Sequence, residues 1–169
     1  SYQLDSEILM SKVLQKKRKF ILLNLENELD MKRSKIYKDL IHQRSQGKPI
    51  AYLVGRKYFW KNEFVVTKDV LIPRPDTEII IEKVLELTKY KSRLNILDIG
   101  IGSGCILLSI LRERPNFNGT GVDLSKKCLD ICEINALKLG VRSRVKFFKS
   151  DIDNFSYGKY DLIISNPPY

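Results

Sequence analysis

A glycine-rich stretch in the middle of the chain has the residue types of a ligand-binding turn. The apolar run 95–99 is broken only by Asn95 at its start and by one acid, Asp98, and passes into Gly100, Gly102 and Gly104. This pattern predicts a strand, a tight turn and then a helix that begins near Gly104. Glycines let a ligand approach the backbone, and the first amides of a helix have no partner within it. We therefore expect a small polar ligand to bind at this turn.

The last four residues have the atoms to hold a planar NH₂ group: Asn166, Pro167, Pro168 and Tyr169. Two successive prolines end a strand and cannot donate N–H groups, so nearby carbonyls stay free to accept, as does the asparagine side-chain oxygen. Tyr169 adds an aromatic face for the group that carries the NH₂. Taken alone, the tetrapeptide is also compatible with a plain strand-ending turn. Its occurrence after the glycine turn and after three acids, Asp98, Asp123 and Asp151, favours a binding site.

The second half of the chain alternates strand and helix patterns. Strands are predicted at 95–99, 118–123, 145–148 and 160–165, with helices at 104–112 and 126–139. This rhythm predicts a parallel sheet with crossover helices, and ligands bind at the carboxyl ends of such strands. Four polar residues fall at or just beyond these ends: Asp98, Asp123, Asp151 and Asn166. We expect all four to line one rim of the sheet.

The first part of the chain is predicted to be a small helical bundle. Residues 5–46 contain neither glycine nor proline, and their apolar residues recur at helical spacing. Asp5 or Ser6 is the expected cap of the first helix, and Ser34 that of a later one. A glycine and a proline at positions 47–49 end the last of these predicted helices.

Two β-rich runs follow, at 57–60 and 63–66, around a polar pair formed by Lys61 and Asn62. They predict a β-hairpin that joins two domains. Residues 70–72 are a candidate for a short third strand.

A rigid loop precedes the next predicted helix, at about 77–88. Pro73 and Pro75 fix the backbone on either side of Arg74, and Asp76 is the expected helix cap. Two interpretations of Arg74 remain open at this point. The loop either starts a helix and nothing more, or aims this side chain at the site formed by the glycine turn.

Charge and composition narrow the class of protein. Of the net charge of +10, most lies in residues 1–56, which carry 12 Lys and Arg against 6 Asp and Glu. Such a face is either a solvated helix surface or a contact surface for RNA, a ribosome or an acidic protein. No apolar run approaches the ~20 residues of a membrane span and the start lacks a signal peptide, so we expect a cytoplasmic protein. The three cysteines favour free thiols over a metal site.

A dinucleotide fingerprint is excluded by one residue. Gly-x-Gly-x-x-Gly counted from Gly100 requires a third glycine at the position of Cys105. Asp123 follows the next strand at a spacing that suits a ribose diol, both in a dinucleotide site and in another nucleoside-binding site. Its position alone therefore does not distinguish these two kinds of site.

These motifs resemble those of class I S-adenosylmethionine-dependent methyltransferases that act on amino or amide nitrogen. With the segments 49–55, 59–60 and 70–78, they closely resemble one family. This is the HemK/PrmC family of peptide chain release factor N5-glutamine methyltransferases. The resemblance implies an α/β, Rossmann-like class I methyltransferase domain, incomplete in this chain, after a small N-terminal helical bundle and a β-hairpin linker.

The resemblance also implies domain boundaries. Residues 1–54 would be a helical substrate-docking domain and residues 55–72 a β-hairpin linker. Residues 73–169 would be the S-adenosylmethionine-binding methyltransferase domain. Relatives have a seven-stranded sheet and four strands are predicted here, so we expect the C-terminal strands to be absent from this chain.

Roles for individual residues follow from the same resemblance. The cofactor would be held by Asp98, Gly100, Ile101, Gly102, Ser103, Gly104, Asp123, Asp151, Ile152 and Asn166. Catalysis would fall to Asn166, Pro167, Pro168 and Tyr169, and these four with Arg74 would bind the substrate. No metal is expected.

The implied reaction is methyl transfer to the glutamine amide nitrogen in the Gly-Gly-Gln loop of bacterial class 1 release factors. One alternative is an N-methyltransferase acting on an exocyclic amino group of DNA or RNA, which suits the same terminal motif and the positive charge. Another is a noncatalytic module that docks release factors through its helices. Residues 73–78 favour the first function.

Overall fold

The structure is a computed structural model that describes residues 1–24 and 26–167. The chain forms two compact units, Ser1–Gly55 and Arg56–Tyr169. Within the described residues, no helix has the length and apolar character needed to cross a membrane.

The first unit is helical, which confirms the bundle predicted from periodicity. Its helices are α1 (Tyr2–Leu14), α2 (Arg18–Leu22), α3 (Met31–Ser45) and α4 (Ile50–Val54). Leu9, Leu40 and Leu53 form its buried centre.

The helix caps of this unit differ from those predicted. Ser1 caps α1 by accepting from the amide of Leu4, and Asp30 caps α3 by accepting from Arg33. Both helices begin earlier than the sequence pattern indicated, because polar residues precede their apolar stripes. Asp5, Ser6 and Ser34 therefore lie inside helices, and their predicted capping roles are wrong.

The second unit begins with the predicted hairpin. Strand β1 (Arg56–Phe59) pairs antiparallel with β2 (Asn62–Val65), and Phe59 faces Asn62. The turn is therefore Trp60-Lys61, one residue earlier than predicted. Trp60 adopts a left-handed backbone with φ 54, which two tertiary contacts hold. Its amide donates to Glu78 Oε1 at 2.7 Å, and its indole N–H donates to Glu113 Oε1 at 2.8 Å.

The segment after the hairpin contains no third strand. The amide of Val70 instead donates to the carbonyl of Thr67 at 3.2 Å, which closes a turn, so the strand predicted at 70–72 is wrong. A 3-10 helix (Pro75–Thr77) then leads into α5 (Glu78–Leu87). Asp76 lies within that 3-10 turn and the N-cap of α5 is Thr77, so the predicted cap is also wrong.

The centre of the unit is a four-stranded parallel sheet in the order β5-β4-β3-β6. Its strands are β3 (Asn95–Ile99), β4 (Asn118–Asp123), β5 (Val145–Lys149) and β6 (Leu162–Ser165). Helix α6 (Cys105–Glu113) connects β3 to β4, and α7 (Lys126–Lys138) with a 3-10 turn (Arg142–Arg144) connects β4 to β5. The parallel sheet with crossover helices predicted from the strand and helix rhythm is confirmed, and so is the Rossmann-like fold that the family resemblance implies.

Helix α6 makes the largest single contribution to the core around this sheet, since residues 106–111 are all buried. Two glycines in β4 allow α6 and the turn before it to pack closely against this strand. A β-carbon at Gly119 would lie 2.9 Å from the Leu107 side chain, and one at Gly121 would lie 2.1 Å from Ile101. Close packing on β4 therefore fixes both α6 and the turn before it.

Candidate functional site

The turn between β3 and α6 has an open side that a ligand can approach. Gly100, Gly102 and Gly104 all have left-handed backbones, with φ 71, 57 and 79. A β-carbon at Gly100 would meet nothing within 4 Å, and one at Gly102 would meet only a backbone oxygen at 4.0 Å. The amides of Gly100 and Ile101 donate to the carbonyl of Val122, which fastens the turn to β4. Glycine adopts this left-handed backbone without strain, and the space that a side chain would fill at Gly100 and Gly102 remains free for a ligand.

Asp123 lies against this turn at the end of β4. Its Oδ2 accepts from the amide of Gly102 at 3.1 Å, and its Oδ1 accepts from the amide of Ser125 at 2.8 Å. Each carboxylate oxygen has a second lone pair, so both can still accept a hydrogen bond from a ligand hydroxyl. The side chain is half-buried and therefore reachable.

Asp98 differs from the other acids because it is not at the open rim. It lies within β3, is 1% exposed, and pairs in register with Gly121 of β4. Burial raises the pKa of Asp98 to about 8; a hydrogen bond from the Leu107 backbone acts the other way, and the charge of Asp123 raises it further. Among the described residues its Oδ2 has no hydrogen-bond partner. The structure therefore places this acid beneath the glycine turn.

The end of β5 approaches the same part of the sheet. The amide of Ser150 donates to the carbonyl of Asp123 at 3.2 Å, which brings the following residues beside β4. Asp151 is exposed, and its Oδ1 accepts from the amide of Asp153 at 3.3 Å. Ile152 is 43% exposed and offers an apolar surface next to these acids.

The end of β6 lies beside the end of β3. The hydroxyl of Ser165 donates to the carbonyl of Ile99 at 2.9 Å, directly before the glycine turn. Asn166 is half-buried, and its Nδ2 donates to Thr77 Oγ1 at 3.5 Å. No described residue donates to its Oδ1, which leaves that oxygen available as an acceptor. Pro167 is exposed, whereas Pro168 and Tyr169 lie outside the described residues.

Arg74 is exposed between its two prolines. Its carbonyl accepts from the amide of Thr77 at 3.1 Å, but its guanidinium makes neither an ion pair nor a hydrogen bond with any residue that the structure describes. The loop that carries it nevertheless reaches the site, because Thr77 contacts Asn166.

These residues fit a nucleoside-bearing cofactor on structural grounds. The glycine turn leaves space beside its backbone, and Asp123 offers acceptors for hydroxyl groups. Oδ2 of Asp98 has no partner among the described residues and adds a further hydrogen-bonding atom beneath the turn. Within the described part of the chain, no group of His, Cys, Asp and Glu side chains is arranged to hold a metal ion.

Comparison with protein families agrees with this geometry. The family model described as "Methyltransferase small domain" matches residues 76–169. The chain belongs to that family. A second model, described as "PrmC N-terminal domain", matches residues 1–55, and confirms the resemblance to the HemK/PrmC family predicted from the motifs.

Curated bacterial relatives of this small-domain methyltransferase chain carry two kinds of name. A "Release factor glutamine methyltransferase" of Buchnera aphidicola subsp. Acyrthosiphon pisum is 44% identical over 98% of this chain and 59% of the relative. One of the same name from Leptospira interrogans is 38% identical over all of this chain and 60% of the relative. A "Bifunctional methyltransferase" of Rickettsia conorii is 35% identical over all of this chain and 37% of the relative. The chain thus spans about three fifths or less of these relatives.

Three residues at the candidate site were missed by the sequence analysis: Thr77, Asn135 and Ser165. Thr77 and Ser165 make contacts between segments far apart in the chain, which no local pattern indicates. Asn135 had one signal. It is a polar residue within the buried stripe of α7, and such a residue must have its hydrogen bonds satisfied within the protein.

Proposed function

We propose that this protein transfers a methyl group from S-adenosylmethionine to a glutamine side-chain amide nitrogen, N5, in the Gly-Gly-Gln loop of bacterial class 1 release factors. Membership of the methyltransferase small domain family supports the reaction type. The names of the Buchnera and Leptospira relatives support the substrate. The observation that carries the proposal is the position of Asn166, which has a free acceptor oxygen beside the end of β3 and the glycine turn.

The cofactor would be held by the carboxyl ends of β3, β4 and β5. The open side of the glycine turn suits the methionyl part, and the free lone pairs of Asp123 suit the two ribose hydroxyls. Asp151 and Ile152 would lie beside the adenine. When bound, S-adenosylmethionine supplies an electrophilic methyl group on a sulfonium.

The protein's part in the reaction is to position the glutamine amide. An amide nitrogen is a poor nucleophile because its lone pair is delocalised into the carbonyl. Oδ1 of Asn166 and the carbonyl of Pro167 would accept from the two NH₂ hydrogens, which raises the electron density on nitrogen and directs its lone pair. Positioning and electrostatic stabilisation of this kind supply a large part of enzymatic rate enhancement.

No side-chain base is assigned. As the bond between the methyl group and sulfur breaks, the amide nitrogen that gains the methyl group carries a positive charge. In that form it is strongly acidic, so it loses one proton to solvent. The single histidine of the sequence, His42, belongs to helix α3 of the other unit. This agrees with a reaction that needs orientation rather than proton abstraction.

The helical unit is proposed to dock the release factor. We retain the division into a docking domain at 1–54, a hairpin linker at 55–72 and the methyltransferase domain at 73–169. The excess of Lys and Arg in residues 1–56 suits a partner with an acidic surface, and a ribosome or RNA contact would use the same charges. A release factor substrate would be met in the bacterial cytoplasm, which is the location that we propose.

One assay tests the substrate class directly. The protein is incubated with methyl-labelled S-adenosylmethionine and offered release factor, tRNA, rRNA or DNA in separate reactions. We expect label in the release factor only, at the loop glutamine. Label confined to nucleic acid would instead support an exocyclic amino group as acceptor, and stable release factor binding without label would support a docking module.

A further inference from the structure

Helix α7 presents a row of three donors to backbone carbonyls outside itself. Cys128, Cys132 and Asn135 are spaced by four and three residues, so they lie on one face of the helix. Cys128 Sγ donates to the carbonyl of Asp69 at 3.0 Å. The other two donate to the glycine turn.

Asn135 is fully buried, and each of its side-chain donors and its acceptor has a partner. Its Oδ1 accepts from the amide of Val65 at 2.7 Å, and its Nδ2 donates to the carbonyl of Val65 at 3.0 Å. The other Nδ2 hydrogen goes to the carbonyl of Ser103 at 2.9 Å. The side chain therefore pairs with β2 as a neighbouring strand would, and at the same time holds the glycine turn.

Cys132 holds the preceding carbonyl of the turn. Its Sγ lies 3.1 Å from the carbonyl oxygen of Gly102. Burial, with the nearby charges of Asp98 and Asp123, raises the pKa of Cys132 well above its ordinary value, so the thiol keeps the proton that it donates. A β-carbon at Gly104 would lie only 3.3 Å from this sulfur, which shows how closely the turn packs on α7.

Two successive carbonyls of the turn are thus fixed from one side, while the amide of Gly102 donates to Asp123 on the other. Fixing both groups leaves the peptide planes of the turn little freedom to rotate. A site that is already in its binding shape loses less conformational entropy when its ligand binds.

We propose that Asn135, with Cys132 beside it, is a positioning residue that fixes the glycine turn in its cofactor-receiving shape and fastens it to the β-hairpin. The part that concerns the cofactor rests on the proposed function. The part that concerns the order of the turn does not, and it is tested without any ligand.

The first test measures cofactor affinity by titration calorimetry with S-adenosylmethionine. Asn135→Ala is expected to raise the dissociation constant at least about tenfold, because the turn loses a buried hydrogen bond. Cys132→Ala is expected to raise it about threefold, and Cys132→Ser, which keeps a donor, to stay within about twofold of wild type. Val145→Ala is the control, since this core residue is the first of β5 and lies away from the carboxyl ends of the strands. It should lower thermal stability and leave the dissociation constant unchanged.

The second test measures amide hydrogen exchange without cofactor. In Asn135→Ala and Cys132→Ala, the amides of Gly102 and Gly104 should exchange at least about tenfold faster relative to Val122 in the same variant. This ratio should not change in the Val145 control, because a general loss of stability affects all three amides.

The outcomes separate the two proposals. Faster exchange in the turn supports the positioning role even if the wild type binds no cofactor, a result that would reject the proposed function alone. Unchanged exchange ratios together with unchanged affinity would overturn the positioning role. If Asn135→Ala does not fold, the Cys132 variants decide: alanine and serine behaving alike would overturn the proposal, and a defect in alanine alone would support it.

Discussion

Nδ2 of Asn166 lies 3.5 Å from Oγ1 of Thr77, across 89 positions of sequence. This contact joins the end of β6 to the 3-10 turn that follows Arg74. At 3.5 Å the hydrogen bond is weak, but its direction is informative. With the NH₂ group turned toward Thr77, the side-chain oxygen is the end left free to accept from a substrate amide. The Pro-Arg-Pro loop would thus orient the proposed catalytic residue, whether or not its arginine contacts the substrate.

The first prediction tests that anchor. Thr77→Val removes the hydroxyl at nearly constant volume, so Asn166 loses a partner while packing is retained. We expect kcat for methyl transfer to fall about twofold to tenfold, the range for one modest hydrogen bond, with the cofactor dissociation constant unchanged. Thr77→Ser keeps the hydroxyl and is the matched control. Equal kcat values for valine and wild type would show that this contact does not orient Asn166.

The second prediction concerns Asp123. Asp123→Ala should weaken S-adenosylmethionine binding by about 1.5 to 3 kcal/mol, the range for hydrogen bonds to a charged group. Calorimetry measures this directly. Asp123 also accepts from the amides of Gly102 and Ser125, so the alanine variant loses these contacts as well. Asp123→Asn is therefore the matched control. It keeps one acceptor oxygen and should lose less affinity than alanine. An unchanged dissociation constant in the alanine variant would mean that the carboxylate serves only the turn.

The third prediction uses the buried acid. The pKa of Asp98 is about 8 in the folded state against an ordinary value of 3.8. Between these two pH values the folded state holds a proton on Asp98 that the unfolded state has lost. Its contribution to stability is complete below about pH 4 and is lost as pH rises through about 8. The free energy of unfolding of the second unit should therefore decline over this window, by at most about 1.4 kcal/mol per pH unit from this group.

Asp98→Asn isolates the effect, since the amide has the shape of the protonated acid and does not titrate. Urea unfolding between pH 5 and 8.5, followed by the fluorescence of Trp60, the single tryptophan, reports on the second unit. We expect the variant to lack the wild-type decline, so that the two curves diverge as pH rises. Parallel curves across the window would show that Asp98 is already ionised.

The sequence predicted the sheet and the glycine turn because both depend on local patterns. Apolar runs and glycine spacing placed β3, β4 and the turn between β3 and α6 within a residue or two. The errors arose where distant contacts decide. The hairpin turn lies at Trp60 because Glu78 and Glu113 hold that residue in an unusual backbone conformation. Asp98 was expected at the rim, but it lies one residue before the end of β3, and its side chain is buried in the core.

The central claim is that Asn166 holds the reacting amide, and Asn166→Ala tests it most directly. The measurement is the single-turnover rate of methyl transfer to the release factor with S-adenosylmethionine saturating, alongside the cofactor dissociation constant. Loss of one oriented hydrogen bond in the transition state should slow transfer about 10²-fold to 10³-fold, with cofactor affinity nearly unchanged. Asn166→Asp keeps an acceptor and should retain more activity than alanine. Transfer by the alanine variant at more than about a third of the wild-type rate, well outside that range, would contradict the account and leave Asn166 as a strand-ending residue only.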